Sequence, residues 1–174
     1  GEPSAADLAE KLGIPVLAVI DASAMAGTFG ALVHGLRHYR PSLPWAGVLA
    51  NRVASDGHEK MLRASGRRED LGTERAGFNA AWLGALHRDA SHSLPERHLG
   101  LTVASELPDA MERLDALADA IEATPLGQLD AAGWQRWSVP FEAQAERQVA
   151  PLLHGRPVAV ARDAAFCFTL PAQP

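Results

Sequence analysis

The sequence predicts an α/β fold built on a parallel sheet. Two short apolar runs, "VLAVIDA" and "AGVLAN", lack the polar alternation of half-exposed strands and are typical of strands covered on both faces. Segments with helical spacing follow these runs, and strand and helix alternate three times along the chain. Parallel strands joined by helices bind ligands beyond their carboxyl ends, so the residues that follow each strand are the first candidates for a site.

The composition restricts the class of protein. The 174 residues are 47% hydrophobic and 21% charged, which is enough for one core but not for two full domains. With 16 Lys+Arg against 21 Asp+Glu, the formal charge of −5 argues against a nucleic-acid partner. The apolar runs are shorter than a membrane span and no basic and then apolar leader is visible, so a cytoplasmic location without a membrane partner is expected.

The first elements are a capped helix, a strand and a second helix. Ser4 can accept from the orphan amides of a helix that starts behind it, and Gly13 tolerates the left-handed stop. The apolar run "VLAVIDA" then predicts the first strand. From about residue 28 to 39, "TFGALVHGLRHY" places its apolar side chains on one helical face.

The next unit repeats the strand and helix order. The strand "AGVLAN" is followed by Ser55 as a helix cap, and the helix ends at Gly66. Residues 67–79 are polar and predict a loop or a helix extension. The run "AAWLGAL" then predicts a third strand.

The last third of the chain is less regular. Residues 107–123 carry apolar side chains at helical spacing and predict a helix. From Thr124 onward, isolated aromatics stand among prolines and glycines, which is typical of a connector rather than of a core element. The run "VAVARDAAFCF" predicts one more buried strand.

Polar residues stand at the predicted carboxyl ends of the strands. Asp21 ends the first strand, Asn51 and Arg52 end the second, and "HRD" follows the third. The plain explanation is that strands end in loops and loops are polar. The alternative is that these side chains line a ligand cleft, as strand ends do in open parallel sheets.

The histidines and the cysteine do not predict a metal or nucleophilic centre. His58, His87, His92 and His98 lack the helical i, i+4 pair or the compact Cys/His spacing that preorganises zinc, so no metal site is predicted. Cys167 lies within "AFCF", where a small buried thiol is the ordinary expectation. It is therefore interpreted as structural.

The passage "LPERHLGL", residues 94–101, has two interpretations. It is either a solvated loop held by its leucines, or a ligand loop in which Arg97 and His98 hold an anion and Glu96 orients one of them. The sequence contains neither G-x-x-x-x-G-K-[ST] nor G-x-G-x-x-G, and it therefore has no recognisable phosphate cradle.

Together these segments resemble one family. "SAADLAEKLGIPVLAVIDASAMAGTFGALVHGL", "AGVLANRVASDGHEKMLR", "LGALHRD", "LPERHLGL" and "VAVARDAAFCF" occur in the order and wording of cobyrinate or hydrogenobyrinate a,c-diamide synthases of corrinoid biosynthesis. The resemblance covers nearly the whole chain and is weakest in the connector. It implies a three-layer, P-loop-NTPase-like fold similar to dethiobiotin synthetase, present here in part, with the connector and a strand after it.

The resemblance implies an ATP-dependent carbon–nitrogen ligase, a glutamine amidotransferase. ATP and Mg²⁺ would be the cofactors, and the corrinoid, glutamine and ATP the partners; a homodimer is left open. Residues 1–123 would be the carboxyl-side part of the synthetase domain, residues 124–155 the connector, and residues 156–174 the first strand of a truncated glutaminase domain. The chain would begin after the P-loop and would be inactive alone.

The resemblance also suggests roles for individual residues. Asn51 resembles an adenine reader, and Arg52 would brace it or line the ATP pocket. Asp21 and Ser23 are weaker candidates for the same cleft, and the loop with Glu96, Arg97 and His98 would lie near the nucleotide or the corrinoid. Cys167 lies too early to be the glutaminase nucleophile, so no catalytic residue is assigned.

Two other functions compete with this interpretation. The first is a related enzyme on the same scaffold, such as a cobyric acid synthase or a dethiobiotin synthetase relative. The second is a non-catalytic binding module of the partition-ATPase type. Only the favoured interpretation expects a corrinoid a,c-diamide with nitrogen derived from glutamine.

Overall fold

The computed structural model describes residues 4–66, 82–93, 107–141, 155–157 and 159–161. The helices and strands in these ranges are, in chain order, α1 (Ala5–Leu12), β1 (Val16–Asp21), α2 (Gly27–His38), β2 (Trp45–Val53), α3 (Asp56–Ser65), β3 (Trp82–His87), α4 (Ala110–Glu122) and α5 (Ala131–Gln135). The chain forms two compact units, residues 1–140 and 141–174, and these elements all belong to the first.

The three strands form a parallel sheet in the order β1-β2-β3. Within it, Ile20 lies opposite Ala50, and Leu49 lies opposite Gly84. Each strand therefore pairs with its neighbour in sequence, and their carboxyl ends meet at one edge. The α/β class and the parallel sheet predicted from the apolar runs are confirmed.

Helices α2 and α3 cover one face of the sheet. Phe29 and Leu62 are fully buried there, and the ring of Phe29 meets Trp82 edge to face at 6.1 Å between centroids. The helices approach closely because Gly30 lies against Ser65: a β-carbon at position 30 would stand 2.2 Å from the Ser65 carbonyl oxygen. The helical face predicted for residues 28–39 is confirmed only in part, because Phe29 and Val33 are buried whereas Leu32 and Leu36 are 39% and 41% exposed.

Helix α4 and the residues after it cover the other face. Leu126 is 8% exposed and packs with Leu49, Leu83 and Leu86, and its amide donates to the Leu83 carbonyl at 2.9 Å. The sequence pattern predicts a connector, rather than a core element, from Thr124 onward. For its first portion that description is wrong, because Leu126 closes the second face of a three-layer arrangement. The domain limits at residues 123 and 155 stay a prediction.

Several predicted segments lie outside the described residues. They are the polar passage 67–79, the loop 94–101 and most of the run "VAVARDAAFCF", including Cys167. Within the described residues, the short helix α5 was not predicted, because five residues give too little periodicity to recognise.

Helix α1 begins with a complete capping box. The Ser4 amide and hydroxyl donate to Asp7 Oδ2 at 2.8 and 2.7 Å, and the Asp7 amide donates back to Ser4 Oγ at 3.2 Å. Arg40 also contacts the Asp7 carboxylate, at 2.7 Å. The Ser4 bonds, and to a smaller degree Arg40, lower the pKa of Asp7 to about 2.

Replacing Ser4 by alanine should remove the cap and raise the Asp7 pKa toward 3.8. The loss of the cap is expected to cost about 1 kcal/mol of stability at neutral pH. Because the folded-state pKa of Asp7 lies below its unfolded value, its contribution is complete above pH 4 and is lost as the pH falls toward 2. Chemical denaturation at several pH values should therefore show that the stability difference between Ser4→Ala and wild type narrows in acid but does not vanish, because the bond from the Asp7 amide to Ser4 Oγ does not depend on the carboxylate charge. A pH-independent difference would contradict the linkage.

Candidate functional site

Four predicted site residues meet where β1 and β2 end. We call Asp21, Ser23, Asn51 and Arg52 the strand-end cluster. Asp21 lies opposite Asn51 in the parallel register, and the amide of Ala22 donates to the Asn51 carbonyl oxygen at 2.8 Å. The sheet register, rather than any local motif, therefore brings the ends of the two strands together.

Arg52 has an unusual backbone conformation that orders this cluster. Its φ of 60° lies in the left-handed region, which a residue with a β-carbon rarely adopts. Its amide donates to Asn51 Oδ1 at 2.9 Å, and its guanidinium Nη1 lies 3.1 Å from Asp21 Oδ2. Arg52 thus contacts Asn51 through its backbone amide and Asp21 through its side chain.

The Asp21 carboxylate is held in its ionised form. The Ser23 amide, which donates to Oδ1 at 2.9 Å, and the Ser23 hydroxyl are the main reasons why its pKa is lowered, and Arg52 adds to the effect. This carboxylate compensates the charge of Arg52, and both side chains are about half exposed. The cluster is consequently close to neutral, and its ion pair contributes little to stability.

Asn51 is the member of the cluster best placed to recognise a ligand. Its side chain is half buried at the carboxyl edge of the sheet. Oδ1 accepts from the Arg52 amide and retains a second lone pair, whereas Nδ2 donates to none of the residues that the structure describes. The amide therefore offers a donor and an acceptor side by side.

The strain at Arg52 can be separated from its charge by two substitutions. Arg52→Gly and Arg52→Ala both remove the guanidinium, but only glycine adopts φ 60° without steric cost. We expect the glycine variant to be more stable than the alanine variant by about 1 kcal/mol in urea unfolding. At Arg63, inside α3, the same pair should show the opposite order, since glycine weakens helices. Equal stability of the two Arg52 variants would contradict a strained backbone.

The third strand brings His87 to the same edge. His87 lies opposite Val53 in the register, and its Nε2 is 3.2 Å from Glu59 Oε2 on the first turn of α3. Asp89 caps the 3₁₀ turn Ala90–His92: its Oδ1 accepts from the Ser91 amide at 2.8 Å, and this bond is the main cause of its lowered pKa. His87 thus connects β3 to α3, whereas Asp89 stabilises only its own turn.

The remaining predicted residues are not part of this cluster as described. Glu96, Arg97 and His98 lie outside the described residues. Among those that are described, no three His, Cys, Asp or Glu side chains are arranged to hold a metal ion. A shallow depression lined by Ala90, Ser91, Asp109, Glu112 and Arg113 lies beside the start of α4. Arg113 is already paired there with Asp109 at 2.7 Å, and none of the cluster residues lines it.

His58 was considered from the sequence only as a metal candidate. The structure places its ring between the loop after β1 and the loop after β2, with Met25 on one side and Ala54 on the other. One sequence signal could have indicated this position. His58 stands three residues after the helix cap Ser55 and hence in the first turn of α3, beside the strand ends.

Comparison with known proteins identifies similar sequences. The chain is 51% identical over 168 residues to the hydrogenobyrinate a,c-diamide synthase of Stutzerimonas stutzeri and 45% identical over 168 residues to that of Pseudomonas aeruginosa. It is 39% identical over 170 residues to the cobyrinate a,c-diamide synthase of Herminiimonas arsenicoxydans. Each match covers 97% of this chain but only 34–35% of the relative.

The resemblance seen in the sequence blocks is thus confirmed over nearly the whole chain, and the chain spans about a third of the length of these relatives. No protein-family model matches it, and no solved structure matches it significantly. Within the described residues, none of the helices has the length and apolar character needed to cross a bilayer.

Proposed function

We propose that this chain is part of an ATP-dependent, glutamine-dependent corrinoid a,c-diamide synthase of cobalamin biosynthesis and that its strand-end cluster binds the adenine nucleotide. The observation that carries the proposal is the Asn51 side chain, half buried at the carboxyl edge of a parallel sheet, in a chain similar to proteins named for this activity. Parallel sheets place ligands at this edge.

The reaction would proceed in two steps at each carboxylate. An oxygen of the a- or c-side-chain carboxylate attacks the γ-phosphorus of ATP, the bond to the bridging oxygen breaks, and ADP leaves. Ammonia released from glutamine then attacks the acyl phosphate, an amide forms, and inorganic phosphate departs. Activation is needed because a free carboxylate has no adequate leaving group for an amine to displace.

The chemistry of Asn51 supports adenine as the ligand of the cluster. The Asn51 amide provides a donor and an acceptor that match an adenine edge, and the Arg52 amide holds Oδ1 so that the two groups keep one orientation. Asp21 is less suited to Mg²⁺. Its oxygens already accept from Ser23 and Arg52, so we assign Mg²⁺ no ligand here.

Other parts of the proposal go beyond the cluster. Glu96, Arg97 and His98 would lie near the nucleotide or the corrinoid, and residues 156–174 would belong to the domain that hydrolyses glutamine. We assign no catalytic residue in this chain. Without a phosphate-binding loop the chain alone is expected to be inactive, because positioning and charge neutralisation dominate phosphoryl transfer. A cytoplasmic enzyme is proposed, and a homodimer is left open.

Isotope labelling tests this proposal. The native polypeptide that carries this sequence is incubated with ATP, Mg²⁺, glutamine labelled with ¹⁵N in its side-chain amide, and either cobyrinate or hydrogenobyrinate. Mass spectrometry should detect the a,c-diamide with two labelled nitrogens. Amidation at other carboxylates would favour a relative such as a cobyric acid synthase. Nucleotide binding without any amide product would favour a partition-ATPase-like module.

A further inference from the structure

The loops that follow β1 and β2 are joined by one histidine ring. His58 Nδ1 accepts from the Ala54 amide at 3.1 Å, and His58 Nε2 lies 2.7 Å from the Met25 carbonyl oxygen. Met25 belongs to the loop that starts behind Asp21, and Ala54 follows Arg52 by two residues. The ring is half buried, and His58 is separated from Met25 by 33 positions in the chain.

The two hydrogen bonds define the protonation of the ring. A backbone amide can only donate, so Nδ1 must carry a lone pair; a carbonyl oxygen can only accept, so Nε2 must carry the hydrogen. Only the neutral imidazole protonated on Nε2 satisfies both partners. The ring then has no lone pair left for a metal ion or for a proton from a substrate, and this excludes the two roles most often given to a histidine near a site.

Besides the bond to Met25, two other contacts connect these parts of the chain. The Ala22 amide donates to the Asn51 carbonyl oxygen, but that bond lies at the end of the sheet itself. The Arg52 pair with Asp21 is about half exposed and contributes little. Beyond these, in the part of the chain that the structure describes, His58 provides the hydrogen bonds that tie residues 22–26 to the loop after β2.

We propose that His58 is a positioning residue that fixes the β1–α2 loop against the β2–α3 loop and thereby preforms the strand-end cluster for its ligand. The inference rests on the proposed nucleotide site. The sheet register already sets Asp21 opposite Asn51. Ser23, which holds the Asp21 carboxylate, lies in the β1–α2 loop that the Met25 bond fixes, so the position of Ser23 relative to Asn51 and Arg52 depends on His58. A preformed site binds more tightly because less loop entropy is lost on binding.

Three substitutions separate the two bonds. In His58→Asn, Oδ1 stands near the position of Nδ1 and can still accept from Ala54, but nothing reaches Met25. In His58→Gln, Nε2 can still reach the Met25 carbonyl while the Ala54 bond is lost. His58→Phe loses both. His38→Asn is the matched control, because His38 is exposed at the end of α2 and its described contacts are with His34 of the same helix, through the carbonyl oxygen and the ring.

Two measurements without nucleotide test directly whether His58 connects the two loops. Ring ¹⁵N NMR of the native polypeptide should show the neutral tautomer with the hydrogen on Nε2, and hydrogen exchange should report on residues 22–26. His58→Asn and His58→Phe should accelerate exchange in that loop about fivefold to tenfold, the effect of one lost hydrogen bond, whereas His58→Gln and His38→Asn should not. The other tautomer, a charged ring, or unchanged exchange in His58→Asn and His58→Phe would overturn the proposal.

A third measurement tests whether the connection made by His58 affects the strand-end cluster. ATP affinity, measured by equilibrium titration, should fall about fivefold to tenfold in His58→Asn and His58→Phe and recover most of the wild-type value in His58→Gln. If the loop exchanges faster and ATP binds unchanged, His58 orders the loop without preforming the site, and the proposal fails. If wild-type protein binds no ATP, the proposed function fails, and the tautomer and exchange results still decide whether His58 joins the loops.

Discussion

Replacement of Gly84 by alanine is expected to destabilise the fold by about 3 kcal/mol or more. Gly84 lies in β3 with φ at +123°, a conformation that side chains rarely adopt. A β-carbon there would stand 2.6 Å from the Thr124 β-carbon and 3.1 Å from Pro125 Cδ. Both the backbone strain and the overpacking oppose the substitution, and each is worth roughly 1 to 3 kcal/mol.

Thermal unfolding provides the measurement. A loss of this size should lower the melting temperature by roughly 10 °C. Gly35→Ala is the matched control, because Gly35 is exposed within α2 and has no atom within 4 Å of a new β-carbon. That variant should gain about 0.5 to 1 kcal/mol. If Gly84→Ala and Gly35→Ala melt at the same temperature, the residues from Thr124 onward do not pack on β3 as described.

Replacement of Asn51 by alanine is expected to weaken ATP binding about tenfold or more in the native polypeptide. The side chain would lose the donor and acceptor proposed to meet the adenine edge, which together are worth about 1 to 3 kcal/mol. Glutamine hydrolysis should change little, because the proposed glutaminase site lies elsewhere. The split between a raised KM for ATP and an unchanged rate of glutamine hydrolysis is the diagnostic result.

A matched variant separates recognition from a general loss of folding. Gln135→Ala removes a carboxamide from the exposed surface of α5 and should leave both activities unchanged. Asn51→Asp keeps the acceptor for the Arg52 amide but loses the donor, so it should resemble Asn51→Ala. An unchanged ATP affinity in both Asn51 variants would remove this residue from the nucleotide site.

The sheet could be predicted because its signals are local. Unbroken apolar runs indicated strands buried on both faces, and Ser4 and Ser55 marked helix starts that the structure contains. The packing of Leu126 could not be read in this way. It depends on the missing side chain of Gly84, more than 40 residues earlier, which leaves the space that Thr124 and its neighbours occupy.

The site was predictable to a similar degree. The topology of a parallel sheet is sufficient to expect Asp21 and Asn51 side by side, and the register places them opposite each other. The left-handed backbone of Arg52 could not be predicted, since arginine is not a residue that favours positive φ. The role of His58 was hidden for a different reason. Its partners are backbone groups, and no side-chain spacing in the sequence encodes them.

The order of the strands has a consequence for the growing polypeptide. Because the sheet is built in chain order, β3 can dock as soon as residues 82–87 are available, and the face covered by α2 and α3 is then complete. The opposite face, with Leu49 and Leu83, stays uncovered until α4 and Leu126 have been synthesised. At about 5 to 20 residues per second, synthesis exposes this apolar surface for roughly 2 to 8 s.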